Sequence, residues 1–249
     1  MNNNNTSFEL VIIIPCFNEE KRLPVAKYTH FLSTNKKVFL CFVNDGSSDK
    51  TDEVVLQIKN KFQENIHLLS LDKNLGKAVA VKAGMNYCQQ HYNYQKIAYL
   101  DADLATSLEE CYEISLQIKN EIVVAFGSRI QKIDTFIDRK KLRFLIGRII
   151  ATFISMQLQL KVYDTQCGCK IFDKNTADAI FKDNFISKWL FDVEIFHRLI
   201  QMYGKENMPK ICSEIPLKKW IDVDESSVKI SYFFKLWFDL MAIKKKYQS

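Results

Sequence analysis

Along the first half of the chain, short, mainly apolar runs alternate with longer segments whose apolar residues recur every three to four positions. The runs are residues 10–14 (LVIII), 38–43, 66–71, 97–100 and 122–128, most of them closed by Pro, Asn or Asp. Runs that are apolar at every position predict strands buried on both faces of a parallel sheet. The segments between them, 19–33, 49–62, 76–92 and 108–120, carry the helical period. The cluster Asn44-Asp45-Gly46-Ser47-Ser48 stops one strand and supplies capping side chains for the helix that follows. This alternation predicts βαβ units and a doubly wound α/β sheet of the nucleotide-binding kind. Beyond Arg129 the alternation stops. There the pattern predicts a helix over 140–160, a strand at 170–172, a helix over 191–203, a strand over 211–220 and a last helix over 231–247.

No Gly/Pro/Ser-rich linker separates the halves, so one continuous domain is expected. Its predicted extent is 9–225, preceded by a disordered polar tail (1–8) and followed by an amphipathic, basic helical segment (226–249). With 249 residues and 47% hydrophobic content, the chain has enough apolar surface for one large core. The formal charge of +6 suits an anionic substrate or membrane surface, and no nucleic-acid-binding signature accompanies it. The seven cysteines are scattered and mostly lie in apolar runs. Only Cys167-Gly168-Cys169 is close-spaced, and it lacks the second pair that a zinc site needs. A reducing cytoplasm fits this usage. The opening MNNNNTS has neither a basic nor an apolar signal region, and no apolar run approaches membrane-spanning length. The expectation is a chain with no signal peptide and no membrane span.

The chemistry concentrates at YLDADLAT, residues 99–106. On a strand, residues i and i+2 face the same side, so Asp101 and Asp103 aim two carboxylates at one point. That point lies at the carboxyl end of a strand, where open α/β sheets bind ligands. Two hard oxygen donors with room for phosphate oxygens suit Mg²⁺ or Mn²⁺ on a nucleotide diphosphate. Acidic pairs at strand ends are common, so the pair acquires meaning from its neighbours. Three further loops follow predicted strands: Pro15-Cys16-Phe17-Asn18-Glu19, Asn44 to Thr51, and Asp72-Lys73-Asn74-Leu75-Gly76-Lys77. Each alone reads as a cap, a turn or a connector. Four in order, gathering on one sheet edge, read as a ligand site.

Together these loops resemble the inverting, nucleotide-sugar-dependent glycosyltransferases of family 2. That resemblance implies the GT-A fold, a Rossmann-like, mostly parallel central sheet flanked by helices, here with C-terminal amphipathic helices. It also implies that Pro15, Phe17, Glu19, Asp45, Lys77, Asp101 and Ala102 contact a nucleotide-sugar, and that Asp101 and Asp103 hold the metal. Within the family, DTQCGCKIF (164–172), WLFDVE (189–194) and Gly127-Ser128-Arg129 with the basic stretch after it resemble dolichyl-phosphate β-glucosyltransferases and their bacterial polyprenyl-phosphate relatives. Two departures stand out. The eukaryotic enzymes carry an N-terminal membrane helix that this sequence does not show. Their lysine in a GSK-type phrase falls at Ser226-Ser227-Val228 here, with Lys229 the nearest cation.

The resemblance implies transfer of a hexose, glucose from UDP-glucose, onto a polyprenyl or dolichyl phosphate. A phosphate acceptor is already an anion, so catalysis reduces to positioning and to stabilising the leaving diphosphate. Arg129, aided by Arg139, Arg143 and Arg148, would clamp the acceptor phosphate, because guanidinium matches phosphate geometry. Asp192, with Glu194 beside it, sits where other family members place an acidic base. Such a base is needed only if the acceptor is a saccharide hydroxyl, and that acceptor is the alternative reading. A catalytically silent nucleotide binder of the same fold is a second alternative. His197 reads as packing. The aromatic and basic residues of 231–249 predict an interfacial helix, and those of 139–160 either a second one or an ordinary amphipathic core helix; the expectation is a peripheral enzyme on the cytoplasmic face of a membrane.

Overall fold

The computed structural model describes residues 7–138, 141–221 and 232–247, with nine strands and nine α-helices among them. Parallel strands β1 (Ser7–Cys16), β2 (Val38–Asn44), β3 (Ile66–Ser70) and β4 (Asn93–Leu100) form one wing of a sheet ordered β3-β2-β1-β4-β7-β5-β8. The other wing holds β5 (Val124–Ser128), β7 (Cys169–Asp173) and β8 (Cys212–Pro216). Strand β7 lies between β4 and β5 and runs antiparallel to both. A second, two-stranded sheet pairs β6 (Phe136–Asp138) with β9 (Lys219–Ile221).

Helices cover both faces because the central strands are apolar on both. One face buries α1 (Val25–Thr34), α2 (Thr51–Lys59) and α4 (Leu108–Ser115) through residues such as Phe31, Val55 and Cys111. The other buries α3 (Lys77–His91), α5 (Lys141–Leu158), α6 (Lys174–Ile180), α7 (Phe191–Tyr203), α8 (Met208–Ile211) and α9 (Tyr232–Tyr247). Among the described residues, no helix is long and apolar enough to cross a membrane.

Three boundaries and the seat of the last helix differ from the sequence expectation, each for a physical reason. The sheet begins at Ser7, inside the expected tail, because Phe8 packs on Phe39 and Tyr92. Helix α1 starts at Val25 rather than at residue 19, since Pro24 lacks an N–H and the Glu19 carbonyl instead closes a turn onto Arg22 and Leu23. The strand expected over 211–220 splits: β8 joins the main sheet and β9 the small one, with Leu217 buried between them. The last helix docks on the body. Leu240 and Ile243 are buried, an apolar gain of about 1.5–3 kcal/mol each, and Tyr247 stacks on His197 with ring centroids 5.1 Å apart.

His197 is thus a packing residue at the α7–α9 seam, with Gln157 Nε2 3.2 Å from its Nε2. Burial lowers its imidazole to about 4, whereas an unfolded histidine titrates near 6.5. Between these values the unfolded chain binds more protons. The contribution of His197 is therefore fully present above pH ~6.5 and is lost as pH falls toward ~4, amounting to about 3 kcal/mol. Urea denaturation at pH 5 and pH 7 should show a smaller acid loss for His197→Gln than for the unaltered protein. Equal losses in both would remove His197 from this seam's electrostatics.

Candidate active site

The loops after β1, β2 and β3 are laced into one rim. Asn18 takes the left-handed conformation (φ 54°). Its N–H donates to Ser47 Oγ and its Oδ1 accepts from the Ser48 N–H, both at 2.9 Å. The Glu19 N–H donates to Thr51 Oγ1 at 2.8 Å, and the Glu20 N–H to Asp49 Oδ2 at 3.0 Å. The DGS turn closes against the third loop so tightly that a Cβ on Gly46 (φ +65°) would lie 2.4 Å from the Lys73 carbonyl carbon. Only glycine fits there.

The acid pair completes the rim after β4. The Asp101 N–H donates to the Gly168 carbonyl at 3.1 Å. Gly168 approaches so closely that a Cβ would stand 1.8 Å from Asp101 Oδ2. Lys77 Nζ lies 2.5 Å from Asp101 Oδ1. Asp103 Oδ1 accepts from the Ala105 N–H at 3.0 Å, across Leu104 in the left-handed conformation (φ 51°). Burial, and then the charge of Asp101, raises the Asp103 carboxyl above its ordinary value. Across the rim, Arg22 grips Glu19 through Nε at 2.8 Å and through Nη2. Its guanidinium is held above its usual value by Glu19 first, and by Asp103 and Asp101 beyond it.

Several candidate residues face otherwise than the sequence suggested. Asp45 is buried and points inward, its two oxygens accepting the Leu75 and Gly76 N–H groups at 2.8 Å each. It braces the third loop instead of standing free for a ligand. Glu19 is likewise buried and spent on Arg22. Ala102 is buried, with its carbonyl taken by the Tyr28 hydroxyl at 2.8 Å. Asp192 is buried against Lys170 and Tyr99, without the open access a base for a bound acceptor requires. Pro15 sits within the end of β1, half-buried, and Phe17 is exposed on the rim.

Arg129 follows β5, on the same sheet edge as the acid pair, with β7 between them. It is locked to Asp164 by Nε at 2.6 Å and Nη2 at 2.8 Å, and Trp220 lies over its guanidinium at 5.4 Å. Burial works upward on the Asp164 carboxyl, but Arg129 outweighs it and holds that group well below the carboxylate range. Arg148 stacks on the Tyr163 ring at 3.7 Å and donates to the Tyr163 carbonyl at 2.8 Å. Glu214 carries this turn from behind, accepting the Tyr163 and Asp164 N–H groups. The fold thus brings Arg129 and Arg148 to one turn. Arg139, the Arg143 side chain and Lys229 lie outside the described residues.

The sequence reading assigned no role to Arg22, Tyr99, Asp164, Gly168 or Lys170, although all but Arg22 lie within its motifs. One signal was available: Lys170 is the lone charge inside the apolar run CKIF of β7.

Among the described residues, no cluster of three or more His, Cys, Asp or Glu forms a metal cage. Residues 11–181 match the model of glycosyl transferase family 2. A dolichyl-phosphate beta-glucosyltransferase of Trichomonas vaginalis is 32% identical over 95% of this chain and 73% of its own length. The dolichyl-phosphate beta-glucosyltransferase of Homo sapiens is 26% identical over 96% of this chain and 76% of its own. The fold matches glucosyl-3-phosphoglycerate synthase of Mycobacterium tuberculosis, solved with Mn²⁺, UDP-glucose and phosphoglyceric acid, with a TM-score of 0.69. That match has 12% identity and covers 96% of this chain and 80% of the other. Mannosyl-3-phosphoglycerate synthase of Rubrobacter xylanophilus superposes with a TM-score of 0.70 at 10% identity, over 96% and 73% of the two chains. The fold is GT-A.

The Arg129–Asp164 pair is nearly buried, so removing one partner strands the other charge. Asp164→Ala should cost about 3–5 kcal/mol in chemical denaturation, and Arg129→Met/Asp164→Leu less than the sum of its single changes. A single-variant loss under about 1 kcal/mol would mark the pair as solvated.

Proposed function

The chain belongs to glycosyl transferase family 2, and from that membership we propose that it moves glucose from UDP-glucose, with inversion, onto a polyprenyl phosphate of the dolichyl type. The observation that carries this reading is one sheet edge with two tasks. An acid pair stands at the end of β4, and a carboxylate-braced arginine stands just past the end of β5. The first suits a sugar nucleotide and the second an anionic acceptor.

The acid pair fits a divalent cation. Burial first, and then the charge of Asp101, raises Asp103, and doubly charged Mg²⁺ or Mn²⁺ would offset the second of these. Asp101 and Asp103 would hold the ion, with the diphosphate and water supplying its other oxygens. When bound, the ion supplies Lewis-acid neutralisation of the leaving diphosphate. Lys77, already beside Asp101, offers a further positive charge to that diphosphate. Asp164 fixes the plane of Arg129, so its guanidinium meets the acceptor phosphate without first paying for its own ordering. Such an acceptor attacks as a phosphate anion, which removes the need for a general base.

The acceptor's lipid chain calls for a membrane surface. On α5, Leu145, Ile149, Phe153 and Met156 form an exposed stripe at helical spacing. On α9, Trp237, Phe238 and Met241 extend it, and Phe153 meets Trp237 edge-on at 5.1 Å. Exposed Lys244, Lys245 and Lys246 lie at the end of α9. Apolar side chains beside a basic cluster suit a peripheral seat on an anionic, cytoplasmic-face bilayer.

The reaction is tested by incubating the protein with UDP-glucose, polyprenyl phosphate and Mn²⁺ or Mg²⁺, with detection by mass. The expected product is hexosyl polyprenyl phosphate. Transfer to a saccharide hydroxyl instead, or no turnover of any sugar nucleotide, would overturn the proposal. In the same assay Gly168→Ala should displace the Asp101 carboxylate, because an added Cβ would stand 1.8 Å from Oδ2 and 2.3 Å from Cγ, while circular dichroism should show the fold intact. The variant should lose about a hundredfold in rate, since an ångström of misplacement costs that much. For the membrane seat, flotation with anionic liposomes should retain the protein at low salt. Phe238→Glu with Met241→Glu should cut retention about tenfold or more, and equal retention would exclude this face.

A further inference from the structure

Beneath the acid pair lies a charged cluster sealed from solvent. Lys170 stands in β7 opposite Tyr99 of β4, on the face otherwise occupied by Ile97 and Phe172. Its side chain is wholly buried, and that of Asp192 is nearly so. Lys170 Nζ donates to Asp192 Oδ1 at 2.5 Å and to the Cys167 carbonyl at 2.7 Å. The Tyr99 hydroxyl donates to the same Asp192 oxygen. Asp192 belongs to the first turn of α7, where the helix dipole favours a carboxylate.

Two routes lead from this cluster to Asp101. Along the first, Lys170 holds the carbonyl of Cys167, whose neighbour Gly168 is pressed against Asp101 and accepts its N–H. Along the second, Tyr99 is two residues before Asp101 on β4, and Lys77 lies over its ring at 5.9 Å while gripping Asp101. A buried ion pair is seldom more stabilising than apolar packing of the same volume. Stability alone therefore gives no reason for Lys170 in the middle of a core strand. Fixing the Cys167 carbonyl, two residues before β7 begins, does give one.

We propose that Asp192 is a positioning residue. Through Lys170 and Tyr99 it fixes the Cys167–Gly168 backbone against Asp101, so that the carboxylate is held ready for the cation and the sugar nucleotide. This rests on the reading of Asp101 as a cation-holding residue. Asp192 touches neither donor nor acceptor and takes no proton from the latter.

Calorimetry of the full chain with UDP in the presence of Mn²⁺ tests this first. No binding by the unaltered protein would overturn the functional reading itself. If it binds, Asp192→Asn and Lys170→Met should each weaken the affinity about tenfold or more, as loss of a supporting residue behind a metal ligand does. The double variant should be no worse than the poorer single one. Both single variants should raise KM for UDP-glucose and leave the shape of the kcat–pH profile unchanged. Unaltered affinity in either single variant would overturn the positioning role. So would an Asp192→Asn enzyme that binds normally yet loses the acid limb of its kcat profile, the mark of a base. Should these variants not fold, Tyr99→Phe removes one hydroxyl and keeps the ring. It should weaken Mn²⁺–UDP affinity severalfold, and unaltered affinity would count against the proposal.

Discussion

Two carboxylates at the end of one strand repel each other, and the neighbourhood of the acid pair is arranged around that repulsion. Asp103 is raised by burial and by Asp101, while Lys77 grips Asp101 and Arg22 lies within electrostatic reach of both acids. On the proposed reading, a doubly charged ion would relieve this repulsion and bring an anionic diphosphate with it. Deeper cations serve geometry instead: Lys170 is spent on Asp192 and a backbone carbonyl.

Rigidity of the rim comes from backbone groups captured by side chains. Asn18, Asp45, Asp49 and Thr51 satisfy N–H groups on neighbouring loops, and so the loops form one surface rather than four independent connectors. This costs direct ligand contact. Asp45 is buried, and each of its oxygens already accepts one backbone N–H of the third loop. Residues that share a sequence motif thus divide into those that hold the loops, such as Asp45, and those that stand exposed on the rim, such as Phe17.

The α/β alternation up to Ser128 was legible because most strands carry an apolar run at their centre or end and each crossover helix follows its strand directly. The acid pair was legible because side-chain direction alternates along β4. The second half was less so. Strand β7 is only five residues long, and its place between β4 and β5 depends on pairing with strands far away in sequence. That placement makes neighbours of Lys170 and Tyr99, and of Gly168 and Asp101. Asp192 read as an acid beside a ligand because its motif resembles that of family members that place a base there, and nothing local reveals that two buried donors cover it. The same holds for α9, whose apolar residues divide between the core (Leu240, Ile243) and the outer surface (Trp237, Phe238).

By itself the sequence determined the fold class, the order of its elements in the first half and the strand end that carries two acids, because these follow from periodicity and turn chemistry within a few residues. Only the tertiary structure decided which charges are buried, which are braced and which stand open. Desolvation and pairing depend on what the chain brings back from a distance, as Asp164 meets Arg129 across 35 positions and Asp192 meets Tyr99 across 93.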